Sequence, residues 1–168
     1  AAPDNLALLA VRAAARNAAG DKAAARADAE RVLAAQAGNE FAASLLASLL
    51  GQEGRLDQAI AVVQRALQAT PQSLDLRTVL AQLQSSAGRP REAEAQLLEI
   101  LRRDPNDVAH RYRLAQFYVL QKNVDGAERT LREAVRVKPD DIGPKLALAN
   151  LIAEQRSFDE AEKSLKEL

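Results

Sequence analysis

The sequence predicts an all-α protein built from repeated pairs of antiparallel helices. The first observation is a 34-residue period that runs through the 168 residues. At that spacing alanine recurs in two series, Ala13, Ala47, Ala81, Ala115, Ala149 and Ala25, Ala59, Ala93, Ala127, Ala161. The second is composition, since apolar residues make up 48% of the chain and aromatic residues only 3%. Alanine is the strongest helix former, and a fixed period of this length is typical of solenoid proteins.

Each first helix of a repeat begins at a capping residue. One series in the 34-residue register consists of Asn5, Asn39, Ser73, Asp107 and Asp141. Side chains of these types accept hydrogen bonds from the unpaired amides of a first helical turn. In the fourth repeat, apolar residues at Tyr112, Leu114, Ala115, Phe117 and Tyr118 then follow a helical spacing and predict a helix over residues 108–121.

A turn residue separates the two helices of each repeat. The first three repeats place Gly20, Gly54 and Gly88 there, and glycine is favoured where a helix ends in a left-handed residue. The last two repeats have Lys122 and Arg156 instead. A side chain costs about 1 kcal/mol in that conformation, so we expect these two turns to differ from the others.

Each second helix begins with acidic residues and ends at a proline. The acidic residues Asp57, Glu92, Asp125, Asp159 and Glu160 lie where they complement the helix dipole. In the fourth repeat, Ala127, Leu131, Ala134 and Val135 predict a helix over residues 125–138. Pro71, Pro105 and Pro139 end the second helices and lead into the next repeat.

The alanine series are predicted to lie where the helices face each other, because a one-carbon side chain lets the backbones approach closely. Larger core residues are expected at Leu46, Leu80, Leu114, Leu148, Val63, Leu97, Leu131, Leu165, Ile100 and Leu168. The first repeat departs from this pattern, with Arg12 and Arg16 at two of the apolar positions. Either its first helix is rotated so that Leu6, Leu9, Ala10 and Ala13 face inward, or it is marginally stable.

This unit, with small residues at two fixed positions, glycine in the turn and proline at the end, resembles the tetratricopeptide repeat (TPR) family. The resemblance covers repeats over residues 5–38, 39–72, 73–106, 107–140 and 141–168, which we expect to form a single solenoid domain over residues 1–168. It implies a right-handed superhelix whose first helices line a concave groove that binds a peptide or a protein segment. Both ends read as interrupted repeats, so we expect this chain to be a fragment of a longer repeat protein.

Composition and charge narrow the function classes. Lys and Arg together number 23, as do Asp and Glu, so there is no net field to attract nucleic acid. Without cysteine, the chain has no disulfide and no thiolate ligand. The longest apolar stretch, residues 41–50, is well short of the ~20 residues that span a bilayer. The sequence is compatible with a cytoplasmic and with a periplasmic location, and with a membrane anchor outside the fragment.

The sequence offers no convergent reactive groups, and we predict that the chain is not an enzyme and has no catalytic, cofactor-binding or metal-binding residue. His110 is the only histidine, and its place near a helix start predicts a surface residue. Paired carboxylates such as Asp140 with Asp141 are explained by helix capping. Ser44 and Ser48 have no nearby base in the sequence and are interpreted as lining the groove.

The resemblance places the candidate binding site on the first helices. Its predicted residues are Phe41, Ser44, Leu45, Ser48, Thr78, Val79, Gln82, Tyr112, Arg113, Gln116 and Asn150. Tyr112 beside Arg113 is the best candidate for a binding hot spot, because these residue types dominate measured interface energies. The alternative is that Tyr112 only packs between neighbouring helices.

The leading hypothesis is a non-catalytic protein-interaction scaffold that belongs to a larger bacterial assembly or an envelope-associated protein. A second hypothesis is the substrate-recruiting arm of an enzyme whose catalytic domain lies outside this fragment, and a third is a structural spacer. The last helix carries an apolar stripe of Phe158, Ala161, Leu165 and Leu168 with no polar cap. We expect this stripe to allow self-association.

Overall fold

The computed structural model describes residues 5–166, which form ten α-helices and no strand. In chain order they are α1 (Leu6–Ala18), α2 (Lys22–Ala35), α3 (Glu40–Gln52), α4 (Leu56–Ala69), α5 (Leu74–Ser86), α6 (Pro90–Arg103), α7 (Val108–Leu120), α8 (Val124–Val137), α9 (Ile142–Gln155) and α10 (Phe158–Lys166). The predicted all-α fold of helix pairs is confirmed. The chain divides into two compact units, residues 1–96 and 97–168, with the boundary inside α6.

The helix ends lie where the capping residues and prolines predict them. Asn39 Oδ1 accepts from the amide of Ala42 at 2.9 Å, and Asp107 Oδ1 accepts from that of Ala109 at 2.8 Å. The other three residues of the capping series also accept a bond from the first turn of their helices. The second helices α4, α6 and α8 end two residues before the predicted prolines.

The turns within repeats share one geometry in four cases out of five. Gly20, Gly54 and Gly88 have φ values of +84°, +74° and +71°, and Lys122 adopts the same left-handed conformation at +59°. The prediction of a different turn is therefore wrong for Lys122. Arg156 has a φ of −132°, and α9 runs one residue longer than the other first helices, so the prediction is confirmed there.

Unit 1 is held together by packing within and between its repeats. Helices α1 and α2 pack as a pair, as do α3 and α4, and the first helices α1, α3 and α5 also contact one another in succession. The apolar core contains Leu46, Leu50, Ile60, Val63, Leu76 and Leu80. Between these larger side chains lie the predicted alanines, among which Ala47 and Ala59 are fully buried.

Unit 2 repeats this packing, with α8 in contact with both α7 and α9, and α9 with α10. Its core contains Leu131, Val135, Leu148, Leu151 and Ile152. Every alanine of the two series is buried, in this unit as in unit 1. Leu165 is 42% exposed, so its assignment to the core is wrong, and Leu168 lies outside the described residues.

The first repeat replaces apolar packing with an ionic cluster. Leu9, Ala10 and Ala13 are buried, but Leu9 and Ala13 share the register of the buried Ala43 and Ala47, so α1 is not rotated relative to α3. Arg12 and Arg16 both turn toward α2. There the buried carboxylate of Asp28 accepts two bonds from Arg12 and one from Arg16, each at 2.7 Å. Asp28 occupies the position that Val62 takes in the second repeat. The two arginines thus have a charged partner in place of an apolar neighbour.

Candidate functional site

In unit 1 the predicted groove residues lie on α3 and α5, two helices in contact. Phe41 is 50% exposed. The polar residues Ser48 and Gln82 are exposed, whereas Ser44, Leu45, Thr78 and Val79 are half-buried. The Thr78 hydroxyl donates to the carbonyl of Leu74 at 2.9 Å, so its bonding capacity is partly used within its own helix.

An apolar series crosses the first-helix face of unit 1. Val11, Leu45 and Val79 stand at equivalent positions of α1, α3 and α5, and Val11 is 65% exposed. Leu8 is also 65% exposed, but it stands at the position that the buried Ala42 and Leu76 take in the next two repeats. Val11 is not among the residues that the sequence analysis predicts for the groove. The 34-residue register, which aligns Val11 with Leu45 and Val79, was the signal that could have included it.

In unit 2 the predicted residues separate into exposed and packed side chains. Arg113 and Gln116 on α7 and Asn150 on α9 are exposed. Tyr112 is half-buried against the unit 2 core, and a Cβ added at Gly143 would lie 3.0 Å from the Tyr112 hydroxyl. Burial, and secondarily the charge of Asp141, raises the pKa of Tyr112. Tyr112 therefore packs between α7 and the start of α9, and Arg113 is the more accessible of the pair.

His110 is buried, with 8% of its surface exposed, so the prediction of a surface residue is wrong. The reason lies in the repeat, because the equivalent positions hold the buried residues Ala42, Leu76 and Pro144. Arg113 Nη1 lies 3.1 Å from Nδ1 of the imidazole. On the other edge of the ring, Nε2 lies 3.6 Å from Asp104 Oδ2 and 3.7 Å from Asp107 Oδ2.

A concave surface is found away from the candidate groove residues. A crevice of about 210 Å³ opens beside α2, α3 and α4, with Leu33, Leu46, Val62 and Arg65 in its lining. It lies against two second helices and contains none of the residues predicted to bind a partner. Among residues 5–166, no helix has the length and apolar character needed to cross a bilayer.

Comparisons with known proteins agree with the geometry. Two tetratricopeptide repeat models match the sequence, one over residues 11–73 and the other over residues 50–116 and 99–151. A search of the curated proteins finds no significant match.

Solved structures share the fold at low sequence identity. MamA from Desulfovibrio magneticus RS-1 is 14% identical at a TM-score of 0.71, with 99% of this chain and 94% of that chain covered. A tetratricopeptide repeat protein from Parabacteroides merdae is 18% identical at a TM-score of 0.75, with 96% of this chain and 64% of that chain covered. A thermophilic TPR protein from Thermus thermophilus is 22% identical at a TM-score of 0.63, with 95% of this chain and 87% of that chain covered.

The family matches extend over most of the described helices, and the repeat period, the capping residues and the buried alanines agree with them. The chain belongs to the tetratricopeptide repeat family.

Proposed function

We propose that this chain is a non-catalytic scaffold that binds a peptide or a protein segment on the faces of its first helices. Membership of a family that generally serves protein interaction supports the coarse assignment. Solved structures with the same fold come from bacteria such as those named above, which supports a place in a bacterial assembly.

The observation that carries the proposal is the apolar series on unit 1. Val11 on α1 and Phe41 on α3 leave 65% and 50% of their surfaces exposed. Leu45 and Val79 continue the series and rest on the core. Exposed apolar surface beside small polar residues such as Ser48 is typical of surfaces that bind a partner. A segment with apolar side chains on one face fits this surface.

Unit 2 offers a different chemistry. The exposed side chains of Arg113, Gln116 and Asn150 supply hydrogen-bond donors on α7 and α9. Arginine is enriched among the residues that dominate binding energies, and its guanidinium pairs with carboxylates in a planar arrangement. This face suits polar or acidic groups of a partner.

The test is to select a phage-displayed random peptide library against the full chain and to titrate the selected peptides by fluorescence anisotropy. Ser48→Arg adds a bulky charged side chain beside the apolar series. We expect it to weaken binding at least about tenfold, which corresponds to about 1.4 kcal/mol.

The matched control is Ala61→Arg, which changes another small exposed residue, on the second helix α4. It should leave the affinity within about twofold, since an exposed site away from the contact contributes little. Peptides that lose binding with Ala61→Arg and keep it with Ser48→Arg would place the binding surface on the second helices. A selection that enriches no peptide would also count against the proposal.

A further inference from the structure

Three residues of types that commonly bind metal ions, two aspartates and a histidine, meet where α6 ends and α7 begins. One ligand atom each from Asp104, Asp107 and His110 can be chosen so that all three atoms lie within 4.8 Å of one another. Asp104 follows the last residue of α6, Asp107 caps α7, and His110 lies in the first turn of α7. Asp107 and His110 are three residues apart at the start of α7, a spacing that brings side chains to the same side of a helix, and the turn between the helices brings Asp104 beside them.

The 34-residue register sets this junction apart from the others. The equivalent triplets are Gln36, Asn39 and Ala42, then Thr70, Ser73 and Leu76, and then Lys138, Asp141 and Pro144. Only the junction before α7 combines two carboxylates with an imidazole. Capping explains Asp107, but neither capping nor apolar packing explains a carboxylate at 104 together with a histidine in a core position.

The imidazole points its unpartnered nitrogen at the carboxylates. Nε2 of His110 is buried and makes no hydrogen bond. Its distances of 3.6 Å and 3.7 Å to the Asp104 and Asp107 oxygens are too long for one. A buried polar nitrogen without a partner is unfavourable, and here it is aimed between two oxygens whose side chains are 45% and 46% exposed. The site can therefore be reached from solvent.

The distances suit a small divalent cation. Zn²⁺ bonds to histidine nitrogen and carboxylate oxygen at about 2.0–2.2 Å, so neighbouring ligands of a tetrahedral site stand roughly 3.4 Å apart. The observed Nε2 to oxygen distances exceed that by a few tenths of an ångström. Three protein ligands leave a fourth position for water or for a carboxylate of another molecule.

The surrounding structure fixes the ligands in place. Asp107 Oδ1 accepts from the amide of Ala109 at 2.8 Å, which leaves Oδ2 directed at His110. The guanidinium of Arg111, which is buried, donates to the carbonyl of Pro105 and fastens the loop between the two aspartates. Such supporting bonds orient metal ligands and raise affinity.

We propose that Asp104, Asp107 and His110 form a binding site for Zn²⁺ or a related first-row divalent cation, a role distinct from the proposed peptide binding. Binding through Nε2 requires the proton of the neutral ring to lie on Nδ1. Nδ1 then no longer accepts from Arg113, so the Arg113 side chain, which is exposed, must turn away.

The experiment titrates zinc chloride into the tag-free full chain in a non-chelating buffer by calorimetry. Because the chain has a single histidine, long-range ¹H–¹⁵N NMR of the imidazole reports on this site alone. We expect one Zn²⁺ per chain, with the Nε2 resonance shifted as the ion binds. His110→Gln and Asp104→Asn should each weaken binding at least about tenfold, whereas Arg113→Ala should strengthen it.

The control is Asp141→Asn, which neutralises the equivalent capping residue before α9, where no histidine is near in the register. Its affinity for Zn²⁺ should equal that of the parent. Asp104→Asn changes a partly exposed residue after a helix end, and circular dichroism checks that the variant is folded. The proposal is overturned if the parent chain shows no saturable binding, if Asp104→Asn binds as tightly as the parent, or if the Nε2 resonance does not move.

Discussion

At the scale of single residues, the buried carboxylate of Asp28 explains why the first repeat tolerates arginines in core positions. Its side chain is 3% exposed, and it accepts hydrogen bonds from two guanidinium groups. The hydrogen bond from Arg12, followed by the charges of Arg12 and Arg16, outweighs burial and lowers the pKa of Asp28. Removing a single member of such a cluster is unfavourable because it leaves the others without a partner.

Asp28→Asn should lower the free energy of unfolding at neutral pH by about 1–3 kcal/mol, because it removes charge-assisted bonds from a buried acceptor. The pKa of Asp28 is lowered in the folded state. The stabilisation is therefore complete above the unfolded-state pKa of about 3.9 and is lost as the pH falls through the lower folded-state pKa. Urea denaturation of parent and variant at pH 7 and in the acid range measures the difference.

The control for this prediction is Asp140→Asn, an exposed carboxylate between α8 and α9, which should change stability little at either pH. The gap between parent and Asp28→Asn should narrow in acid. A gap of the same size at both pH values would show that the ionised carboxylate is not its source.

At the scale of elements, the turns show how strongly the repeat imposes its geometry. Lys122 accepts a left-handed φ of +59°, and the amide of Asn123 bonds to the carbonyl of Tyr118 at 2.8 Å. The glycine turns make the same bond, as in Asp21 to Arg16 at 2.9 Å. The packing of α7 against α8 is evidently worth more than the strain at one residue.

Lys122→Gly should stabilise the protein by about 1 kcal/mol, because glycine has no Cβ to oppose the left-handed conformation. Arg156→Gly should do the opposite, since its φ is −132° and its guanidinium lies 3.2 Å from Asp125 and 2.8 Å from Glu128. Thermal unfolding of both variants and the parent shows whether each substitution raises or lowers the melting temperature. Equal shifts in the same direction would contradict this account of the turns.

The sequence predicted most of the elements because their signals are local. Capping residues, prolines and the alanine series each act within one helix or one helix pair, and the 34-residue register repeats them. The sequence-based prediction failed where a side chain's partner is distant in the sequence, or where packing offsets an unfavourable backbone conformation. Asp28 could not be matched to Arg12 before the helices were paired, and the strain at Lys122 is offset by packing.

The candidate site was less predictable than the fold for a related reason. The register identifies which positions of a first helix face outward, so the exposure of Ser48 and Gln82 follows from it. His110 was misjudged because it was considered alone and not beside Ala42 and Leu76, its equivalents in the core. The bonding of Arg113 to His110 depends on side-chain conformations, which no periodicity contains.

At the scale of the whole molecule, equal numbers of basic and acidic residues leave no net charge to keep copies apart. Exposed apolar side chains then have more influence on whether copies of the chain associate. On α10, Phe158 is 76% exposed and Leu165 is 42% exposed. Leu168, which the sequence places on the same stripe, lies outside the described residues.

We expect the chain to self-associate through this stripe, and the double variant Phe158→Glu with Leu165→Glu to remain monomeric, because charges oppose burial of the contact. Light scattering across a concentration series measures the mass of each. The control is Leu98→Glu on α6, where the parent side chain is 45% exposed, and it should associate as the parent does. A parent chain that stays monomeric at all concentrations would contradict the prediction.

Arg113 belongs to two surfaces at once, since it is exposed among the residues proposed to bind a partner and also lies 3.1 Å from Nδ1 of His110. A partner carboxylate that draws the guanidinium away frees the imidazole for the ion proposed to bind beside Asp104 and Asp107. Thermodynamic reciprocity then requires the ion to strengthen partner binding by the same factor by which the partner strengthens ion binding. Through this one side chain, a divalent cation would strengthen the hold of unit 2 on its partner.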